Sequence, residues 1–122
     1  MRTPDQVMTT YVALWNATDE TERRQLAEEV LAKDAAIIYP TLEAHGRDDV
    51  VTALGAFHER FPGARFEKTS GVEEHHGWFR ASWHMVLADG SVSSDGEDVA
   101  EVTDDGRLCR VIGFHNPLPQ RH

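Results

Sequence analysis

Apart from one short β-branched stretch at Ala35–Tyr39, apolar residues along this chain recur at helical spacing as far as Phe61 and at strand spacing from Ala64 onward. The switch from period 3.6 to period 2 at Ala64 leaves few folds open: three helices and one short strand come first, then strands close enough in sequence to pair antiparallel. Thr3-Pro4-Asp5-Gln6 starts the first helix. Thr3 can cap it, Pro4 suits the first helical position, and Gln6 can complete a capping box. Val7, Tyr11, Leu14 and Trp15 then form its buried face. Thr18 or Asp19 can cap a second helix through about Ala32, with Leu26, Ala27, Val30 and Leu31 as its stripe. Its solvated face is Glu20, Glu22, Arg23, Arg24, Glu28 and Glu29. Ala35-Ala36-Ile37-Ile38-Tyr39 reads as a short strand ended by Pro40. Gly46-Arg47-Asp48-Asp49 opens a third helix with acids at its positive end. Val50, Val51, Leu54, Phe57 and Phe61 are its apolar stripe, and Pro62-Gly63 stops it.

Past Ala64, strands are predicted over Arg65–Thr69, Val72–His76, Trp78–Leu87, Ser91–Val102 and Arg107–His115. Ser70-Gly71, Ala88-Asp89-Gly90 and Asp104-Asp105-Gly106 mark the turns. The order predicts an α+β fold, one domain over residues 1–122, with N-terminal helices packed on a curved, mostly antiparallel sheet. Such a sheet wrapped over a long helix leaves a conical hollow, a natural ligand pocket.

Charge narrows the partners. With 12 Lys and Arg against 21 Asp and Glu, the net charge of −9 argues against nucleic acid and against an anionic membrane surface. No apolar run approaches the roughly 18 residues that span a bilayer, and no signal-peptide core follows Met1. The single cysteine, Cys109, excludes an internal disulfide. A cytoplasmic location is the expectation.

Alternation within the strands singles out a few polar residues. In Glu97-Asp98-Val99-Ala100-Glu101-Val102, the two glutamates mark one face as solvated, so Asp98 shares the apolar face with Ala100 and Val102. Burial there would raise its pKa and make it a candidate acid, base or protonated donor. The alternative is that the stretch lies at an edge and Asp98 is wet. With Arg110 facing out, Cys109, Val111, Gly113 and His115 share the inner side of the last strand, where Gly113 leaves room for a ligand or a close side chain. On Trp78–Leu87 the more apolar face is Phe79, Ala81, Trp83, Met85 and Leu87, which puts His84 outside unless the polar set lines a cavity. Tyr11 and Tyr39 each suit either a core position or a hydroxyl aimed into a pocket. Glu73-Glu74-His75-His76 alternates faces and fits a solvated hairpin; His45 is isolated, and so is His58, on the exposed side of the third helix. No metal or cofactor site is expected.

The chain resembles the nuclear transport factor 2-like superfamily, in its SnoaL-like polyketide cyclase and ketosteroid isomerase-like branch. The matching segments are Tyr11-Val12-Ala13-Leu14-Trp15-Asn16-Ala17, Tyr39-Pro40, Gly46-Arg47-Asp48, Gly96-Glu97-Asp98-Val99, Asp105-Gly106-Arg107-Leu108 and Val111-Ile112-Gly113-Phe114. The resemblance implies a cone-shaped α+β fold, a homodimer formed through the sheet, and a pocket for a small hydrophobic ligand. In ketosteroid isomerases a tyrosine and a protonated aspartic acid stabilise an enolate, and a second aspartate before a proline moves the proton. Tyr11 and Asp98 match the first two, whereas Tyr39 stands before Pro40 in place of the base. Polyketide cyclase-like relatives use an acidic residue for proton transfer, which matches Asp98. Dehydratase-like relatives combine histidine, aspartate and tyrosines, a set that Tyr11, Tyr39, Asp98, His115 and, if it faces the pocket, His84 would supply.

The function expected from these residues is a cofactor-free lyase, isomerase or cyclase acting by acid/base chemistry on a small hydrophobic carbonyl compound. Asp98, Tyr11, Tyr39 and His115 are the candidate catalytic residues, His115 as a base. Trp15, Phe57, Phe61, His84, Val102 and Val111 are the candidate substrate contacts. A non-catalytic binding or dimerisation domain with the same pocket is the alternative.

Overall fold

A computed structural model describes residues 2–121. The element order is α1 (Pro4–Asn16), α2 (Glu20–Val30), β1 (Leu31–Tyr39), β2 (Leu42–His45), α3 (Arg47–Arg60), β3 (Arg65–Lys68), β4 (Glu73–His75), β5 (Trp78–Val86), β6 (Val92–Val102) and β7 (Leu108–His115). Three helices pack on one seven-stranded sheet with the order β2-β1-β7-β6-β5-β3, while β4 pairs with the far end of β5. Every pairing is antiparallel except β1 with β7. Thr3 and Gln6 form the expected capping box on α1, and Asp19 caps α2 through the Glu22 amide.

Two differences from the expected elements have physical causes. The second helix stops at Val30, and Leu31, fully buried, begins β1 by pairing with Leu108 of β7. Sheet pairing there overrides a helical stripe that would have run on through Leu31 and Ala32. Strand β2 was not foreseen. It folds back on β1 across Pro40-Thr41, with Tyr39 opposite Leu42, and only Ala44 of its four residues is buried.

The end of α1 is fastened to three other elements: side chains from α2 and α3 satisfy carbonyls that a helix terminus leaves open, and its own Asn16 reaches the β3 backbone. Asn16 makes a two-way bond with the Phe66 backbone, donating from Nδ2 to the carbonyl (2.9 Å) and accepting the amide at Oδ1 (2.7 Å). His58 Nε2 donates to the Trp15 carbonyl at 2.6 Å, so His58 is half-buried against α1 rather than on the exposed side of α3. Arg23, expected on the solvated face, is instead 5 % exposed, and its guanidinium donates to the Ala17 carbonyl at 3.1 Å. A cation at the negative end of α1 accounts for that burial. Asn16→Ala is expected to cost about 2 kcal/mol, because one side chain closes two backbone groups; a denaturant titration against the wild type measures it.

Candidate active site

The alternation in β6 holds. Asp98 and Ala100 are buried while Glu97, Val99 and Glu101 are not, and Asp98 keeps only 6 % of its surface. On β5 the apolar face is likewise inward, with Phe79, Ala81, Trp83 and Met85 buried. Asp98 lies opposite Ala81 on β5 and opposite Gly113 on β7. Trp83, two residues along from Ala81 on the same face, donates its indole N–H to Asp98 Oδ1 at 3.1 Å.

Both tyrosines converge on this carboxyl group. The Tyr11 and Tyr39 hydroxyls are 2.7 Å apart. Tyr11 is fully buried in α1, and Tyr39 ends β1, edge-to-face against Trp15 at 5.2 Å. Gly113 makes the convergence possible. A Cβ there would clash with the edge of the Tyr39 ring, 2.0 Å from Cε1, and lie 3.1 Å from Asp98 Oδ1. Gly96 does the same for Trp83, whose Cζ2 would be 2.7 Å from a Cβ.

Burial sets the electrostatics. Desolvation pushes the Asp98 carboxyl from 3.8 up to about 7, even though the neighbouring Tyr39 hydroxyl and the Trp83 indole N–H favour its charged form. Burial, then the nearby Asp98 charge, raises Tyr11, so its phenol stays protonated. Tyr39 is raised well above 10 by burial and by its Tyr11 and Asp98 neighbours. Near neutral pH the group is therefore one carboxyl poised to gain or lose a proton beside two neutral hydroxyl donors. A second arrangement supports it: Trp15 Nε1 is buried with no hydrogen-bond partner of good geometry, yet lies close enough to favour charge on the Tyr11 oxygen.

These residues form the floor of a cavity of about 760 Å³, a size that suits a small-molecule ligand. Trp15, Phe57 and Phe66 wall it, with Trp15 edge-to-face on both phenylalanines at 5.5 and 5.0 Å. Met85 and Leu87 extend the apolar wall, while Thr41, Glu43, Ser93, Ser94 and Arg60 bring polar groups to it.

Of the residues expected at the site, Asp98, Tyr11, Tyr39, Trp15, Phe57, Phe61 and His115 line this cavity. His115 is exposed and meets the Trp83 ring edge-to-face at 5.9 Å. Three others lie elsewhere. His84 turns to the outer face and pairs with Glu67 at 2.6 Å, as strand parity requires. Val111 is sealed in the main core, and Val102 packs against that core without reaching the cavity. Cys109 also leaves the inner side. The pairing shifts so that Glu101 faces Arg110 and Val102 faces Leu108; Cys109 is the extra residue, and its thiol points to the Glu101 carbonyl at 3.4 Å. Trp83 was missed as a site residue, although its place on the apolar face beside Asp98 and an indole N–H needing a partner were both signals.

The architecture has close counterparts. A SnoaL-like family protein from Agrobacterium tumefaciens str. C58, a candidate isomerase, superposes with a TM-score of 0.87 at 28% identity, over 92% of this chain and 96% of that one. This chain has the fold of the nuclear transport factor 2-like proteins and is similar to this SnoaL-like one. A nuclear transport factor 2-like protein of unknown function from Exiguobacterium sp. 255-15 (TM-score 0.73, 21% identity, 92% of this chain and 99% of that) shares the fold. So does a candidate SnoaL-like polyketide cyclase from Jannaschia sp. CCS1 (TM-score 0.67, 14% identity, 95% and 90%). No protein-family model and no curated protein matches the sequence. Among the described residues, no three His, Cys, Asp or Glu side chains group as metal ligands would, and no helix is long and apolar enough to cross a membrane.

Proposed function

We propose that this chain is an acid–base catalyst of proton transfer on a small hydrophobic carbonyl compound, working through its own side chains as an isomerase, lyase or cyclase. One observation carries the reading: a carboxyl group poised at about 7 on the floor of an apolar cavity, beside two hydroxyl groups that stay protonated. Ionised Asp98 takes the proton from a carbon next to the carbonyl. The C–H electrons move to the carbonyl oxygen, and the Tyr39 hydroxyl, backed by Tyr11, donates a hydrogen bond to the enolate. Trp83 holds one carboxyl oxygen in place throughout. Neutral Asp98 then returns the proton to another carbon, or the enolate expels a leaving group or closes a ring. Tyr39 thus serves as a donor where the family's ketosteroid isomerases place a base, and Asp98 takes over the transfer.

The enolisation step can be tested without the natural substrate. Apolar cyclic ketones such as 2-tetralone should exchange their α-hydrogens for deuterium faster in the presence of the protein, followed by proton NMR in deuterium oxide. Asp98→Asn should lower that rate by about 10²-fold or more, and Tyr11→Phe by about tenfold. Exchange that is not accelerated across such ketones, or that survives Asp98→Asn, would count against the proposal. The rate should rise with pH through about 7, because only ionised Asp98 accepts the proton.

A further inference from the structure

The cavity has a second pole that the proton transfer does not use. Arg60 stands in the last turn of α3 and is the only lysine or arginine among the described residues that line the cavity. None of its guanidinium N–H groups has a protein partner among the described residues; the guanidinium carbon lies 5.4 Å from the centre of the Phe61 ring. Most of the chain's other cations are committed. Arg2, Arg24, Lys68, Arg80 and Arg110 each meet a carboxylate, and Arg23 and Arg47 bond backbone carbonyls. Phe61, 37 % exposed, also lines the cavity, so the guanidinium rests on the apolar wall with its donors unspent. A planar fork of free N–H donors matches a carboxylate in particular. In a chain of net charge −9, an anion would be repelled from most of the surface, which leaves Arg60 as the feature that would admit one. Glu43, the cavity's other charged residue besides Asp98, is held by His45 at 2.6 Å.

We infer that the substrate carries two recognition groups, a carbonyl that reaches Asp98 and the tyrosine pair, and a carboxylate at the mouth that Arg60 binds. This rests on the acid–base reading for its inner end. An enolate-like phenol joined to a carboxylate by an apolar ring system is a suitable probe. The test measures binding of 6-hydroxy-2-naphthoic acid and its neutral carboxamide by naphthol fluorescence. The acid should bind at least tenfold more tightly than the carboxamide. Arg60→Gln should shrink that preference to within about twofold, and Arg60→Lys should keep part of it. Equal binding of the two ligands, or a preference that persists in Arg60→Gln, overturns the carboxylate assignment. Tyr11→Phe separates this from the underlying reading. Weaker carboxamide binding in that variant supports the inner end whatever Arg60 does, and unchanged carboxamide binding overturns the inner end alone. Failure of both naphthols to bind overturns both.

Discussion

Replacing Asp98 with Asn is expected to make the protein more stable while removing the proposed proton-transfer activity. The sign follows from the direction of the shift. Burial raises the carboxyl from 3.8 to about 7, so between those values the folded protein holds a proton that the unfolded chain has released. The stability that neutral Asp98 contributes is complete below about pH 4, falls as pH rises, and is lost once pH passes about 7. Each pH unit in that window costs at most about 1.4 kcal/mol, which sets a ceiling near 4 kcal/mol at pH 8. Asparagine keeps an oxygen for the Trp83 indole but carries no charge to desolvate. Denaturant titrations should therefore show a small difference between variant and wild type at pH 4, about 1–2 kcal/mol at pH 5, and the largest gain at pH 8. A variant no more stable than wild type at pH 8 would mean that Asp98 is not held in a poorly solvated place. A gain in stability bought with loss of activity is characteristic of a functional residue held in an unfavourable setting.

Gly113→Ala should have the opposite effect on stability. The new Cβ would overlap the Tyr39 ring and approach Asp98 Oδ1 at 3.1 Å. Tyr39 is locked by Trp15 on one side and the Tyr11 hydroxyl on the other, so the ring cannot swing aside without breaking the tyrosine pair. Overpacking of this kind costs about 1–3 kcal/mol. Deuterium exchange should drop by about tenfold or more, because the donor to the enolate is displaced. A double-mutant cycle identifies the cause. In a Tyr39→Ala background the same glycine substitution should cost less than about 0.5 kcal/mol, since the ring it strikes is gone. Equal cost in both backgrounds would place the clash elsewhere.

Strand parity made much of this site legible. The pair of glutamates in β6 fixed which way Asp98 points, and the apolar face of β5 turned His84 outward to Glu67. Local capping chemistry likewise marked the starts of α1 and α2. What sequence could not supply was set by tertiary partners. Cys109 left the inner side because one extra residue in β7 shifts its pairing with β6, and a bulge leaves no mark in alternating hydrophobicity. Arg23 looked like one of six charged residues on a solvated helix face; its burial depends on the end of α1 lying beside it. Val102 and Val111 share the inward face with Asp98 and Gly113, yet alternation reports only the face and not how far along the strand the cavity extends. Trp83 and Gly96 form a cross-strand pair whose meaning emerges only once the β5–β6 register is known.

The central claim is that Asp98 is a carboxyl group tuned for proton transfer near neutral pH. The most direct measurement is a carbon-13 NMR titration of the aspartate side-chain carboxyls, with the Asp98 resonance assigned by its absence in Asp98→Asn. The account predicts a midpoint near 7, about three pH units above the other aspartates. A midpoint near 4 would contradict it: Asp98 would then be a well-solvated carboxylate, and the cavity a binding site without a proton-transfer group.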